Sequence, residues 1–175
     1  MLAFNQKMNA QQSLYICENG KVNFISNANL EIIEASSDEL KGILDLKTNR
    51  FAFSIDIISF TGFNSTLQLE HFRENYMEIS QFSKATFEGR LIEQVNLMEQ
   101  GTYNLRAKGK MTIHGESKEI FVNCQVNSRE ESIQVTAEFS VNISEYNISI
   151  PKVVNRKIAE EIGVEVNVTL KMKEN

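Results

Sequence analysis

The sequence predicts an all-β fold, an eight-stranded antiparallel β-barrel with one or two short helices, and three observations carry that prediction. Apolar and polar residues alternate along most of the chain, the pattern of strands with one buried and one watered face. The alternating stretches number about eight and short turns separate them, which favours antiparallel neighbours and closure without exposed edges. A chain of 175 residues, 42% apolar and 23% charged, is one globular domain able to bury about two-thirds of its unfolded surface. No repeat, linker or low-complexity stretch divides it. A two-sheet sandwich is the alternative, because alternation is the same in both architectures.

Taken in order, segments near 14–24 and 32–35 open the pattern. Leu40, Gly42, Leu44 and Leu46 then alternate with Lys41 and Asp45, and Phe51, Phe53, Ile55 and Ile57 with Ala52, Ser54 and Asp56. Phe87, Gly89 and Leu91 follow. The clearest signal is 103–126, where Tyr103, Leu105, Ala107, Met111 and Ile113 share one parity and Asn104, Arg106, Lys108, Lys110, Thr112 and His114 the other. After HGESK the apolar parity resumes at Ile120, Val122, Cys124 and Val126, so this reads as a long hairpin. His114 stands on the outward parity at its tip and is expected to bond nearby backbone. Residues 133–143 and 164–172 complete the strands. Two segments break the period. Ser65 and Gln68 offer a capping box before Leu69, Phe72 and Tyr76 at helical spacing, a short helix over 66–75. Asn155 as N-cap and Gly163 just past the end frame a second helical turn over 155–162. Both are placed to close a barrel mouth.

The hairpin MTIHGESKEI resembles the hallmark of the YceI-like family, usually written L-T-I-H-G-V-T-K before an apolar strand. DELKGILDLKTNRFAFSIDI is similar to that family's V-x-G-x-F-x-x-F-x-G-x-I segment running into an S-I-D strand. HFRENYMEISQFSKATFEG resembles its H-L-x-S-x-D-F-F-x-x-x-x-Y-P-x-x-T-F pattern, with His71 and Phe87 at the ends. The resemblance covers most of the chain, in order. Lys84 stands where the proline is expected and Asn27-Ala28-Asn29 where an early histidine is common; these departures bear on ligand identity and leave the fold untouched. The resemblance implies a lipocalin-like barrel holding an isoprenoid or similar long-chain amphiphile, and an exported protein.

The residues support the same function class. Phe53, Ile55, Met111, Ile113, Val122, Val135, Phe139, Val166 and Val168 share the inward parity, while Leu69, Phe72 and Tyr76 form the apolar side of the helix expected over one mouth. Together they are the candidate cavity lining. Ala107, Gly109 and Ala137 would widen the lumen. At any single position a filled core is the better reading, but eight strands enclose more interior than Val, Ala and Gly fill. The expected function is non-enzymatic binding or transport of an isoprenoid, an isoprenoid quinone or a fatty-acyl lipid. The alternative is an enzyme or redox accessory acting on a small apolar substrate in the same cavity.

Catalytic motifs are missing from the sequence: no G-x-S-x-G, HExxH, Gly-rich phosphate loop or CxxC. We therefore name no catalytic residue, metal ligand or cofactor. His71 and His114 are the only imidazoles, and a metal site would need both with a carboxylate or thiolate, whereas His114 and Cys124 fall on opposite parities. His71 is expected in a surface or packing role, with contact to a lipid headgroup as the alternative. Glu70, Arg73 and Glu74 read as a solvated helix face. A net charge of −5 and a pI near 5.2 argue against a nucleic-acid partner. No apolar run reaches the roughly 18 residues of a membrane-spanning helix. Residues 1–12 are expected as a leader remnant or disordered segment and 13–174 as the barrel domain; Asn9-Ala10-Gln11-Gln12 resembles a cleavage region, although Met8 is not small. A periplasmic or secreted setting and a monomer or homodimer are expected. Cys17 and Cys124 read as small buried apolar side chains, with a disulfide possible after export. The sequons at Asn64, Asn142, Asn147 and Asn167 are chance in an Asn-rich chain.

Overall fold

The structure, a computed structural model, describes residues 14–173; the segment 1–12 expected as a leader lies outside them. Strands β1 (Leu14–Asn27), β2 (Ile32–Asp45), β3 (Arg50–Asp56), β4 (Lys84–Leu91), β5 (Gly101–Ile113), β6 (Glu116–Ser128), β7 (Ser132–Asn142) and β8 (Glu161–Met172) form one closed barrel in sequence order. β1 is hydrogen-bonded to β2 on one side and to β8 on the other, both antiparallel. That closure decides between barrel and sandwich, since no strand of the sheet keeps a free edge.

Residues 32–35 and 40–45, read from sequence as separate segments, are one strand, and Leu46 falls just past its end. The inward parity of β2 runs through Ile33, Ala35 and Ser37 and restarts at Leu40 and Leu44. Ser37 faces Val22 while Leu40 faces Gly20, so β2 holds two intervening residues where β1 holds one. The β-bulge flips the parity without ending the strand.

The β5–β6 turn is tighter than HGESK. Ile113 pairs directly with Glu116, and the two loop residues His114 and Gly115 have φ of 50° and 76°, the left-handed backbone that a two-residue hairpin loop requires. This conformation takes His114 off the outward parity of its strand. Its ring is buried, with Nδ1 3.1 Å from the Tyr146 carbonyl oxygen and Nε2 2.7 Å from Glu78 Oε2, and it meets the Phe82 ring edge-on. The partners are distant in sequence rather than nearby backbone. A carbonyl oxygen only accepts, so Nδ1 donates to Tyr146.

Helix α1 (Thr66–His71) runs directly into a π-turn over Phe72–Tyr76, matching the segment predicted from the capping signal. Ser65 Oγ accepts from the Gln68 N–H at 3.2 Å, while Gln68 Oε1 accepts from the Asn64 N–H rather than from the cap residue itself. The second expected helix is not formed. A short 3-10 turn occupies Lys152–Val154 and Asn155 ends it, while Gly163 lies inside β8, opposite Ile25 and Ser140. A Cβ at Gly163 would sit 3.0 Å from Ile25 Cγ2; the glycine serves close strand packing rather than a helix stop.

The two ends of the barrel differ. The β2–β3, β4–β5 and β6–β7 loops share one end with Leu14 and Met172, and there Ile133, Leu170, Val126 and Val168, each at most 1% exposed, close the barrel as a floor. Leu97 from the β4–β5 loop is tucked beneath, and Ser128 Oγ donates to its carbonyl at 2.5 Å. The opposite end carries the β1–β2, β3–β4, β5–β6 and β7–β8 loops, with α1 in the second of these. Outside, cross-strand ion pairs such as Glu88–Lys110 (2.9 Å) and Asp56–Lys84 (3.2 Å) decorate the wall, where water and salt screen them and they add little to stability.

Candidate functional site

Above the packed floor the interior is hollow. A cavity of about 520 Å³ runs up the barrel, and every strand contributes apolar side chains to it, from Val22 and Phe24 on β1 to Val164, Val166 and Val168 on β8. That volume falls within the roughly 300–1,000 Å³ of small-molecule sites. Two aromatic groups shape the wall. Phe51 stacks near Phe53 and Phe87, at 5.8 and 5.0 Å between centroids. Nearer the mouth, Phe72 from the π-turn meets Phe24, Phe60 and Phe63 at 5.5, 6.1 and 4.9 Å. The helical segment is thus plugged into the barrel through Phe72.

Most of the residues singled out from sequence come together here. Phe53, Ile55, Phe72, Tyr76, Met111, Ile113, Val122, Val135, Phe139, Val166 and Val168 all line the cavity. Leu69 does not. The lumen-facing stripe running from α1 into the π-turn is Leu67, Gln68, His71 and Phe72, and at about 100° per residue Leu69 lies round the cylinder from its centre. Ala107 and Ala137 border the cavity as expected, but Gly109 does not. A Cβ at Gly109 would lie 2.4 Å from the Glu88 carbonyl oxygen and 2.9 Å from the Phe87 ring, so this glycine permits close approach of β4 and an overlying ring instead of widening the lumen. Gly42 plays the same part for Phe53, whose ring would sit 2.2 Å from an added Cβ.

Polar groups concentrate at the mouth. Glu31, Gln68, His71 and Lys157 border the cavity there, with Gln68 Nε2 donating to Glu31 Oε1 at 2.6 Å and Asn64 Nδ2 to the Ile32 carbonyl at 2.9 Å. These bonds tie α1 to the β1–β2 loop. Leu67, His71 and Lys157 are exposed, so the cavity meets solvent between α1 and the loop before β8. Arg73, expected on a solvated face beside Glu70 and Glu74, instead is partly buried and donates from Nη2 to the Ile58 carbonyl at 2.6 Å. Tethering the π-turn to the 3-10 turn that follows β3, Ile57–Ser59, overrides its charge.

Deeper in, the lining is neutral. Cys124 donates to the Leu105 carbonyl at 3.5 Å, and burial, with a smaller contribution from Glu93, pushes its thiol up to about 11. Burial likewise raises the Tyr76 hydroxyl. Cys17 and Cys124 are both free thiols and buried. Among the described residues, no three His, Cys, Asp or Glu side chains gather so as to hold a metal ion, and no helix is long and apolar enough to cross a membrane. An apolar chain can lie in such a lumen with its polar end at the Glu31–Gln68–His71–Lys157 rim. Sequence reasoning missed Phe24, Phe60, Phe63, Val154 and Ile158 on the lining. Phe60 and Phe63 lie in an irregular stretch with no period to read; only the density of aromatics just before the helix cap marks them.

The fold is shared with solved structures. A polyisoprenoid-binding domain from Saccharophagus degradans, implicated in plant cell wall breakdown, superposes with a TM-score of 0.79 at 14% identity, over 93% of this chain and 100% of that one. Burkholderia cenocepacia BcnA gives 0.68 at 16% identity over 86% and 95% of the two chains. The Campylobacter jejuni YCEI protein gives 0.62 at 14% over 80% and 85%. No curated protein matches the sequence. The model of the YceI-like domain, by contrast, matches residues 17–171, from the first turn of the barrel wall in β1 to the last rungs of β8. With nearly all of the barrel matched, the chain belongs to the YceI-like family.

Proposed function

We propose that this protein binds a long-chain apolar molecule, an isoprenoid, isoprenoid quinone or fatty-acyl lipid, inside the barrel and carries it without chemical change. The observation that carries the reading is one continuous cavity of about 520 Å³, floored by packed aliphatic side chains and polar only at its rim. Burial of each methylene contributes about 0.8 kcal/mol, so affinity grows with chain length and needs few polar anchors. The shared fold of the Saccharophagus degradans polyisoprenoid-binding domain supports the ligand class. The neutral lumen, with its only thiol held protonated, supports a carrier over a catalyst. Membership of a family whose members are mostly exported supports a periplasmic or secreted setting, and a sheet without free edges supports a monomer.

Native mass spectrometry of gently purified protein, with organic extraction of the same sample, tests this. Retained long-chain lipid is the expected result. An empty, side-chain-filled interior in an experimental map together with no lipid in the extract would refute the carrier reading; turnover of an apolar substrate would favour the enzyme.

A further inference from the structure

Resting on that reading of the lumen, we propose that the open end of the barrel docks on an anionic phospholipid bilayer, through the β1–β2 loop, Leu67 and residues 151–158. Single exposed apolar side chains are ordinary on a protein surface. Here they are gathered around an opening: Val153 is 88% exposed, Leu30 and Leu67 59% each and Ile32 54%. Backbone and side-chain bonds hold the three loops that bear them together. The Leu30 N–H donates to the Arg156 carbonyl at 2.9 Å, Asn64 holds the Ile32 carbonyl, and Gln68 holds Glu31.

Charge identifies the occupant. Residues 151–158 carry Lys152, Arg156 and Lys157 and no acid, in a chain of net charge −5, and all three cations are exposed; the acids near them are Glu31, already bonded to Gln68, and Glu160 and Glu161 where the loop enters β8. Apolar tips interleaved with cations fit a headgroup layer, where the tips insert shallowly and the cations meet phosphates. A second copy fits less well, because a two-fold contact through this face sets the same basic segment against itself. Docking here places the mouth against the phase in which a long-chain ligand resides, so the ligand enters the lumen without crossing water.

The test uses the full chain with vesicles of phosphatidylcholine alone and of phosphatidylcholine with a minority of phosphatidylglycerol, at low and high salt. The protein should sediment with the anionic vesicles, less so as salt rises. Each cation near an anionic surface raises partitioning about fivefold, so Lys152→Gln with Arg156→Gln should lower it about thirtyfold, and Val153→Asp should lower it as well. None of these three side chains lines the lumen, so displacement of a fluorescent acyl probe in vesicle-free buffer should be unchanged in both variants. Absence of vesicle binding, equal binding to neutral and anionic vesicles, or a dimer in analytical ultracentrifugation that Val153→Asp dissolves would overturn the proposal. Failure of the wild-type chain to bind any probe while still partitioning selectively to anionic vesicles would overturn the ligand reading and support docking.

Discussion

One ladder allows the floor and the wall of the lumen to be compared by the same truncation. On β7 and β8, Leu170 pairs with Ile133 and Phe139 with Val164, and the two rungs are separated by about 20 Å of strand. Leu170 and Ile133 are 0% exposed, with Leu170 bordering the cavity from its floor, whereas Phe139, on the cavity wall, is only partly buried. Leu170→Ala removes three carbons, about 2.4 kcal/mol of transfer free energy, and leaves a hole in a packed floor. The total should be about 3–5 kcal/mol, which for a chain of this size lowers Tm by roughly 10 °C. Phe139→Ala removes a larger side chain, and in a filled core it would cost about 3–5 kcal/mol. Its ring already faces empty space on one side, so with the lumen empty the loss should be about 1–2 kcal/mol. The order of the two effects thus inverts the order of side-chain size. Urea and thermal unfolding of delipidated protein measure both, and an acyl probe at a hundred times its Kd should add about 2.7 kcal/mol to the wild type. Equal losses from the two variants, with probe affinity untouched by Phe139→Ala, would refute the open lumen at this level.

Three further outcomes follow from the same geometry. Phe72→Asp places a charge among Phe24, Phe60 and Phe63, so the helical segment should loosen and stopped-flow displacement should show faster probe release from a barrel that stays folded; unchanged release would reduce the segment to surface packing. Gly42→Ala forces the Phe53 ring away from the wall, and the space available to the ring is the lumen; probe affinity should fall severalfold with little change in Tm, and the reverse result would contradict the ring's placement. Cys124 supplies a pH dependence: its folded-state value of about 11 lies above the ordinary 9.0, so above about pH 9 the unfolded chain loses this proton first and stability falls as pH rises toward 11. Cys124→Ala should flatten that limb of a urea-midpoint profile, and an unaltered limb would mean that another group sets it.

The wall of the barrel was legible because a period of two is local information. Every residue of 103–113 on the apolar parity faces inward, as neighbouring side chains dictate without reference to the rest of the molecule. Where the chain departs from that period, reading failed for identifiable reasons. The β2 bulge reverses parity between Ser37 and Leu40, and only the register against β1 reveals one strand instead of two. Gly163 carries the same local signal as a helix stop, yet its role is set by Ile25, far away in sequence. His114 follows its strand's parity on paper and leaves it in space, because two consecutive left-handed residues turn the ring toward Tyr146 and Glu78.

The cavity lining divides along the same line. Strand residues such as Val135 and Val166 follow from parity alone, since inward-facing in a closed sheet means lumen-facing unless the lumen is filled. What parity does not encode is height along the barrel, and height decides whether an inward side chain is packed or bare. Val126 and Ile133 sit on the same parity pattern as Val135 and Phe139, but the first two are at most 1% exposed near the strand ends, Val126 as part of the cavity floor, in the same core as Leu97 of the β4–β5 loop. The opposite end receives α1 instead, anchored by Phe72 and by the Glu31–Gln68 bond, which spans the rim without filling what lies below. The difference between a plugging loop at one end and a bridging helix at the other turns a uniformly apolar sheet into a container with a floor and a mouth. That difference lies in the least periodic parts of the sequence, 57–83 and 92–100, so the strands could be read one by one while the mouth could not.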